Sequence, residues 1–318
     1  MRKKECGNIE SPIIVTAGSS YLDIDAYACC IAMCELLNRG REKAVAFSRA
    51  DYNYSVCQSL ITEDSMNKSI PSGFQNAKYI VVDVSNPDFI MDAVPLEQVI
   101  AVYDHHVGFE EFWENRIGDN AHIEFIGAAA TLIYREWKAS GQFDQMNPAT
   151  ARLLVAAILD NTLNLSSSNT TQKDIDAFHA LCAKGNVDER WCASYFCEVQ
   201  KSIEADLQEA LFKDVKTIED NRYLPSTFAQ LCIWNSVQII ERIDEMRKWF
   251  NCRWEDWLLN LIDIQNKCGV FVCDNAHYQR KLEGLFDIHF EKGVAILPQP
   301  YLRKEILKKT KIEKREIK

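Results

Sequence analysis

The chain reads as an α/β protein, with a mainly parallel sheet flanked by helices over residues 1–190 and a smaller α/β region at the C-terminal end. Two observations predict this. Short β-branched runs alternate with helix-length apolar segments through the first part, which is the pattern of right-handed βαβ units. Three of those runs lead into aspartate, and in an open parallel sheet ligands gather outside the carboxyl ends of the strands.

Ile13 to Ala17 is expected as the first strand, and Asp25 to Leu37 as a buried helix stopped by Asn38-Arg39-Gly40. Lys43 to Ser48, Tyr79 to Asp83 and Gln98 to Tyr103 give three further strands. Ala128 to Lys138 and Pro148 to Leu159 read as helices, the second with proline in its first turn. Thr171-x-x-Asp174 has the form of a capping box ahead of Ile175, Phe178 and Leu181. From Val187 to about Phe212 the pattern is helical and charged, with residues 191–205 expected to link the two regions and 206–318 to form the second. There, Phe228 to Ile233 and Gly269 to Cys273 carry strand signals and Val237 to Phe250 a helical one. Trp249, Trp254 and Trp257 are expected to pack in a core or interface.

A length of 318 residues suits two domains, and 47% hydrophobic residues can fill two cores. The net charge of −10 argues against nucleic-acid coating and gives no sign of binding to anionic membranes. Only the tail from Arg303 to Lys318 is basic, and most of it reads as a solvated helix face or frayed end. Met1 to Glu5 is charged, Ile13-Ile14-Val15 is too short for an export signal, and no apolar stretch reaches spanning length. A cytoplasmic protein is therefore expected. The 12 cysteines include no C-x-x-C pair, and Cys29, Cys30 and Cys34 lie in an apolar helical run, so reduced packing roles are expected. Cys268, Cys273 and His277 lack a fourth ligand and the usual zinc spacing.

The chemistry concentrates at the strand ends. Asp104-His105-His106 closes the fourth apolar run and uses two of only 6 histidines. Asp23 and Asp25 follow the first run and sit two apart, so in an extended loop both would point the same way. Asp83 ends the third run. Hard oxygens with one imidazole suit Mn²⁺ or Mg²⁺. A carboxylate bridging two such ions would hold them about 3.5–4 Å apart, an arrangement suited to in-line attack on phosphorus. No Gly-rich phosphate loop is present, so side chains would have to grip the phosphate.

These residues resemble the DHH phosphoesterase superfamily, whose name matches Asp104-His105-His106. Asp23-Ile24-Asp25-Ala26 is similar to its first motif, Val82-Asp83 to its second and Ile158 to Thr162 to its fourth. Gly127-Ala128-Ala129-Ala130-Thr131 is similar to the segment that follows the third motif. The second region resembles the DHHA2-type domain of manganese-dependent (family II) inorganic pyrophosphatases and exopolyphosphatases. Lys213-Asp214-Val215-Lys216 looks like its opening Asp-x-Lys, and Leu302-Arg303-Lys304 like its closing Ser-Arg-Lys helix.

The resemblance implies two Mn²⁺ or Mg²⁺ ions, one on Asp23 and Asp83 and the other on Asp25, Asp83 and His105, with Asp83 bridging. It implies His106 as donor to substrate and leaving group, Lys216, Arg303 and Lys304 as a clamp on the distal phosphate, and an active site in the cleft between the domains. Three positions depart from the pattern. Ser19 stands where the pyrophosphatases have histidine and exopolyphosphatase-like relatives have asparagine. Asn161 stands in the fourth motif where aspartate is usual, so either Asp160 or the Asn161 carbonyl would reach the metal. Leu302 replaces the serine before Arg-Lys.

The implied activity is hydrolysis of a phosphoanhydride, pyrophosphate or short polyphosphate, by water activated between the ions. The expected partner is a small phosphorylated anion, with no nucleic acid or membrane, and a homodimer is compatible. Two alternatives remain. One is a phosphodiesterase acting on a nucleotide or short oligonucleotide, against which the missing glycine-rich C-terminal segment weighs. The other, motivated by Ser19 and Asn161, is a degenerate member that binds a phosphorylated ligand or a protein without catalysis.

Overall fold

The computed structural model of this chain describes residues 11–40, 42–61 and 65–316, with side chains up to residue 311. The charged start Met1–Glu5 and the last residues of the basic tail lie outside the described residues. The chain divides into two compact units, Met1–Ala193 and Ser194–Lys318, and the division falls inside the segment read as a linker.

In the first unit, β1 (Ile13–Thr16) leads to α1 (Ile24–Arg39), β2 (Ala44–Ala46), β3 (Lys78–Val82) and β4 (Val99–Asp104). Then come α2 (Glu110–Ile117), β5 (Ala121–Ile123), α3 (Ala129–Ala139), α4 (Pro148–Asn161), α5 (Gln172–Gly185) and α6 (Glu189–Ala205), which runs on into the second unit. The sheet order is β2-β1-β3-β4-β5, and every pairing is parallel. The expected α/β class with a parallel N-terminal sheet is what the structure has.

The apolar runs explain the strands. β1 is buried at all its residues and β3 at all but Lys78, as strands covered on both faces require. Helices α1 and α4 are buried nearly all round, which marks them as central packing helices, not surface ones. Asn147 caps α4, accepting from Ala149 N at 2.9 Å, with Pro148 in the first turn.

Topology places the site. In the order 2-1-3-4-5 the chain reverses direction across the sheet between β1 and β3, and such a switch point opens a crevice at the carboxyl edge. Thr16 pairs with Val81 and Val82 with Tyr103, so the ends of β1, β3 and β4 lie abreast. The acid-bearing loops therefore leave neighbouring strands at one edge.

The second unit adds α7 (Leu207–Lys213), β6 (Val215–Thr217), β7 (Thr227–Ile233), α8 (Val237–Ile240), α9 (Ile243–Asn251) and β8 (Trp257–Asp263). It ends with β9 (Cys268–Val272), α10 (Ala276–Phe286), β10 (Val294–Leu297) and α11 (Arg303–Glu316). Its sheet runs β10-β9-β8-β7-β6, with β7 and β8 parallel and the other pairs antiparallel. Phe228, Leu258, Phe271, Leu282 and Ile306 fill its core.

Several elements differ from the sequence reading. The helix expected from Val237 to Phe250 is two helices, α8 and α9, separated at Glu241-Arg242. β8 escaped notice because it is buried on both faces, so its Leu-rich run shows no alternation. β5 and β6 are only 3 residues long, too short to carry a periodic signal. Two of the three tryptophans pack as expected: Trp254 and Trp257 sit against Phe250, at ring-centre distances of 5.5 and 4.8 Å. No helix among the described residues is long and apolar enough to cross a membrane.

Candidate metal centre

Asp83 leaves β3 with φ at +58°, a left-handed conformation that is uncommon outside glycine and often kept at functional positions. Its backbone N–H donates to Tyr103 O at 2.8 Å, which locks it beside β4. Its side chain is 7% exposed, and no hydrogen bond reaches the buried Oδ1. His105 Nε2 lies 3.4 Å from that oxygen. Burial first, and then the charges of Asp23 and Asp25, push the Asp83 carboxyl well above the usual carboxylate range.

The His105 side chain, 9% exposed, lies alongside, and its Nδ1 is 3.3 Å from the carbonyl of Ile126. A carbonyl can only accept, so Nδ1 carries the proton and Nε2 turns a lone pair towards Asp83. Metal-binding histidines are held in this way, the far nitrogen anchored to an acceptor.

His106 is anchored differently. Its backbone N–H and Nδ1 lie 3.1 and 2.8 Å from Oδ1 of Asp104, which is fully buried. Burial opposes the Asp104 charge, but the His106 hydrogen bond and charge outweigh it and hold the carboxyl below its ordinary value. Desolvation works against the charged imidazole of His106, yet Asp104 and Asp83 together raise it above its ordinary value. The ring is 65% exposed and free to meet a ligand with its other nitrogen.

Asp83, His105 and His106 each offer a donor atom within 4.8 Å of the others, the one such cluster found among the described residues. Two facts show that a divalent cation fits. A buried, unpartnered carboxylate oxygen faces an imidazole nitrogen fixed in the acceptor state, and this O/N donor set suits Mn²⁺ or Mg²⁺ better than a thiolate-preferring ion.

Asp23 and Asp25 are not part of this cluster, though their charges act on Asp83. Asp23 caps α1, its Oδ1 accepting from Ala26 N at 2.9 Å. Asp25 is fully buried, and Ala129 N and Ala130 N donate to it at 2.8 Å each. Its carboxyl is raised first by burial and then by Asp23, with His105 and the two backbone N–H groups pulling the other way.

No protein-family model matches this chain. A Staphylococcus saprophyticus protein described as a "probable manganese-dependent inorganic pyrophosphatase" is 24% identical over 297 residues, covering 89% of this chain and 92% of the relative. Among solved structures, a "putative family II inorganic pyrophosphatase" from Methanococcus jannaschii superposes with a TM-score of 0.58 at 17% identity, covering 94% of this chain and 98% of that one. An exopolyphosphatase-related protein from Bacteroides fragilis gives 0.53 at 12%, covering 95% and 91%. The two structures share the fold. This chain is a homologue of the manganese-dependent pyrophosphatases.

In this pyrophosphatase homologue the fourth motif ends α4. Asp160 is half-buried, while Asn161 donates through Nδ2 to Asp25 Oδ2 at 2.9 Å. Leu163, Asn164 and Leu165 then turn with φ of 50°, 56° and 61°, and Thr162 Oγ1 accepts from Leu165 N at 3.0 Å. Ser19 is exposed, its N–H bonded to Phe89 O at 2.8 Å. In the second unit Lys216 and Lys304 are exposed. Arg303 is not free as a clamp requires: its Nη2 donates to Asp214 O and Oδ2 at 2.7 and 2.6 Å, and its side chain is 13% exposed. Leu302 still opens α11, because its N–H donates to Glu305 Oε2 at 2.6 Å as in half of a capping box.

Asp174, expected from the sequence only as a helix cap, is also a supporting residue of the centre. It does accept from Thr171 N, at 2.8 Å, but it also accepts from Gly127 N at 2.9 Å and Thr131 Oγ1 at 2.6 Å. It thereby fixes the loop whose neighbouring groups hold His105 and Asp25. A Cβ at Gly127 would come within 2.5 Å of Thr162 and 2.9 Å of Asp174, so only glycine fits. The capping signature gave no hint of this second role.

Proposed function

We propose that this chain is a divalent-metal-dependent hydrolase of phosphoanhydrides, acting on inorganic pyrophosphate or short polyphosphate. The observation that carries the reading is the buried Asp83 oxygen facing His105 Nε2 at 3.4 Å, with His106 poised on Asp104 beside it. When bound, Mn²⁺ or Mg²⁺ would acidify a water and neutralise phosphoryl oxygens.

The chain's residues then divide the work. Asp83 and His105 hold the cation, and Asp23 adds negative charge beside them. His106 keeps its proton through Asp104 and donates to the leaving phosphate, a contribution of about 10²–10⁴-fold for a positioned acid. Lys216 and Lys304 are proposed as contacts to the anion, while Arg303 acts through the Asp214 pair that orients the start of α11.

Purified protein with Mn²⁺ should release phosphate from pyrophosphate or tripolyphosphate, and Asp83→Ala should abolish it. Absence of phosphate from both substrates would defeat the proposal.

One observation favours a second reading. Tyr21, Phe89, Val107 and Phe125 are all exposed, by 53–59%, and all lie in the loops that follow β1, β3, β4 and β5. Inorganic pyrophosphate has no use for apolar contacts, whereas a nucleobase gains about 1–3 kcal/mol by stacking on an aromatic ring. A nucleoside polyphosphate is the alternative substrate.

A further inference from the structure

Every acceptor position of Asp25 is taken. Oδ1 accepts from Ala130 N at 2.8 Å and Cys29 Sγ at 3.4 Å, and Oδ2 from Ala129 N at 2.8 Å and Asn161 Nδ2 at 2.9 Å. An ionised carboxylate has about four lone-pair sites, so these donors fill it. Ala129 and Ala130 belong to the first turn of α3, whose unpaired N–H groups and dipole favour an anion there without any cation. The Asn161 amide can face a carboxylate only through nitrogen, because its oxygen would set acceptor against acceptor. Its oxygen is thereby turned from Asp25.

The other groups around the centre are less fully used. Asp23 has given Oδ1 to Ala26 N as the helix cap, and Ser19 is exposed with its N–H bound to Phe89. Asp83 and His105 face one another: a buried oxygen without a hydrogen bond, as Asp104 Oδ2 also is, meets a lone pair aimed at it.

We propose that this centre takes a single divalent cation, on Asp83 and His105, and that Asn161 closes the position at Asp25 which a second cation would need. The proposal rests on the metal-dependent reading above and narrows it. Aspartate at position 161 would bring a second carboxylate against Asp25, and two such charges repel unless one is protonated or a cation lies between them. Asn161 replaces that cation by a hydrogen bond.

Metal counting tests this without reference to turnover. Mn²⁺ is titrated into the whole chain by calorimetry, and the bound species is examined by electron paramagnetic resonance. One ion per chain with the resolved hyperfine pattern of an isolated Mn²⁺ is expected, and Asp83→Asn should lose it. Asn161→Asp should take up a second ion and show the broadened signal of a coupled pair. Two ions of comparable affinity in the wild-type chain would overturn the single-cation proposal and leave the hydrolase reading standing. No bound ion would overturn both. An Asn161→Asp chain that folds and still binds one ion would refute the role of Asn161; if that variant does not fold, the wild-type count decides the stoichiometry.

Discussion

His106 Nδ1 lies 2.8 Å from Asp104 Oδ1, an exposed imidazole resting on a fully buried carboxylate. The contact fixes which ring nitrogen faces outward and raises the imidazole above its ordinary value. If protonated His106 is the acid, activity should fall as pH rises through a value above the ordinary imidazole pKa of about 6.5. Asp104→Asn removes the charge and keeps the size. It should move that limb to lower pH and cost about 10²-fold or more in kcat. An unchanged pH–rate profile would rule His106 out as the acid.

Asp83 is held above the carboxylate range by burial and by Asp23 and Asp25. Its proton must leave before a cation can bind, so Mn²⁺ affinity should rise with pH until Asp83 is ionised in the metal-free protein. Calorimetry in buffers of different ionisation enthalpy should reveal proton release on binding at the low end of that range. Affinity independent of pH would contradict the geometry given to Asp83.

Gly127→Ala drives a methyl group into Thr162 and Asp174. Overpacking of this kind costs about 1–3 kcal/mol, so the midpoint of denaturant unfolding should fall. Mn²⁺ affinity should fall too, since the neighbouring Ile126 carbonyl orients His105. Loss of stability with metal affinity intact would separate the loop from the centre.

Phe89→Ala and Phe125→Ala distinguish the two substrate readings. Both side chains are exposed, so stability should change by no more than about 0.5 kcal/mol. If nucleoside polyphosphates are substrates, KM for them should rise about tenfold, the equivalent of about 1.4 kcal/mol, while KM for tripolyphosphate stays the same. Equal KM values for both variants and wild type would remove the nucleotide reading.

Arg303 and Lys216 should behave unlike one another. Arg303→Ala leaves Asp214 without its partner and should lower stability by about 1–3 kcal/mol. Lys216 is exposed, so Lys216→Ala should leave stability alone and raise KM for the anion. Unfolding curves and kinetics on both variants check this.

Much of the centre can be read from the chain because its signals are local. The β-branched runs before Asp23, Asp83 and Asp104 mark strand ends, and parallel strands must present those ends at one edge. The pairing of His105 with Asp83 follows once β3 and β4 are neighbours. β8 was not legible, since a strand buried on both faces loses the alternation that identifies strands.

The sequence by itself determined the parallel α/β architecture of the first unit and the acids and imidazoles that meet at its edge, because apolar periodicity and strand-end chemistry are written within a few residues of one another. Only the tertiary structure decided how each group is spent. Asn161 meets Asp25 and Asp174 meets Gly127 across 136 and 47 positions of chain. A carboxylate's role depends on which donors reach it first, and that depends on packing between distant segments, which no local pattern records.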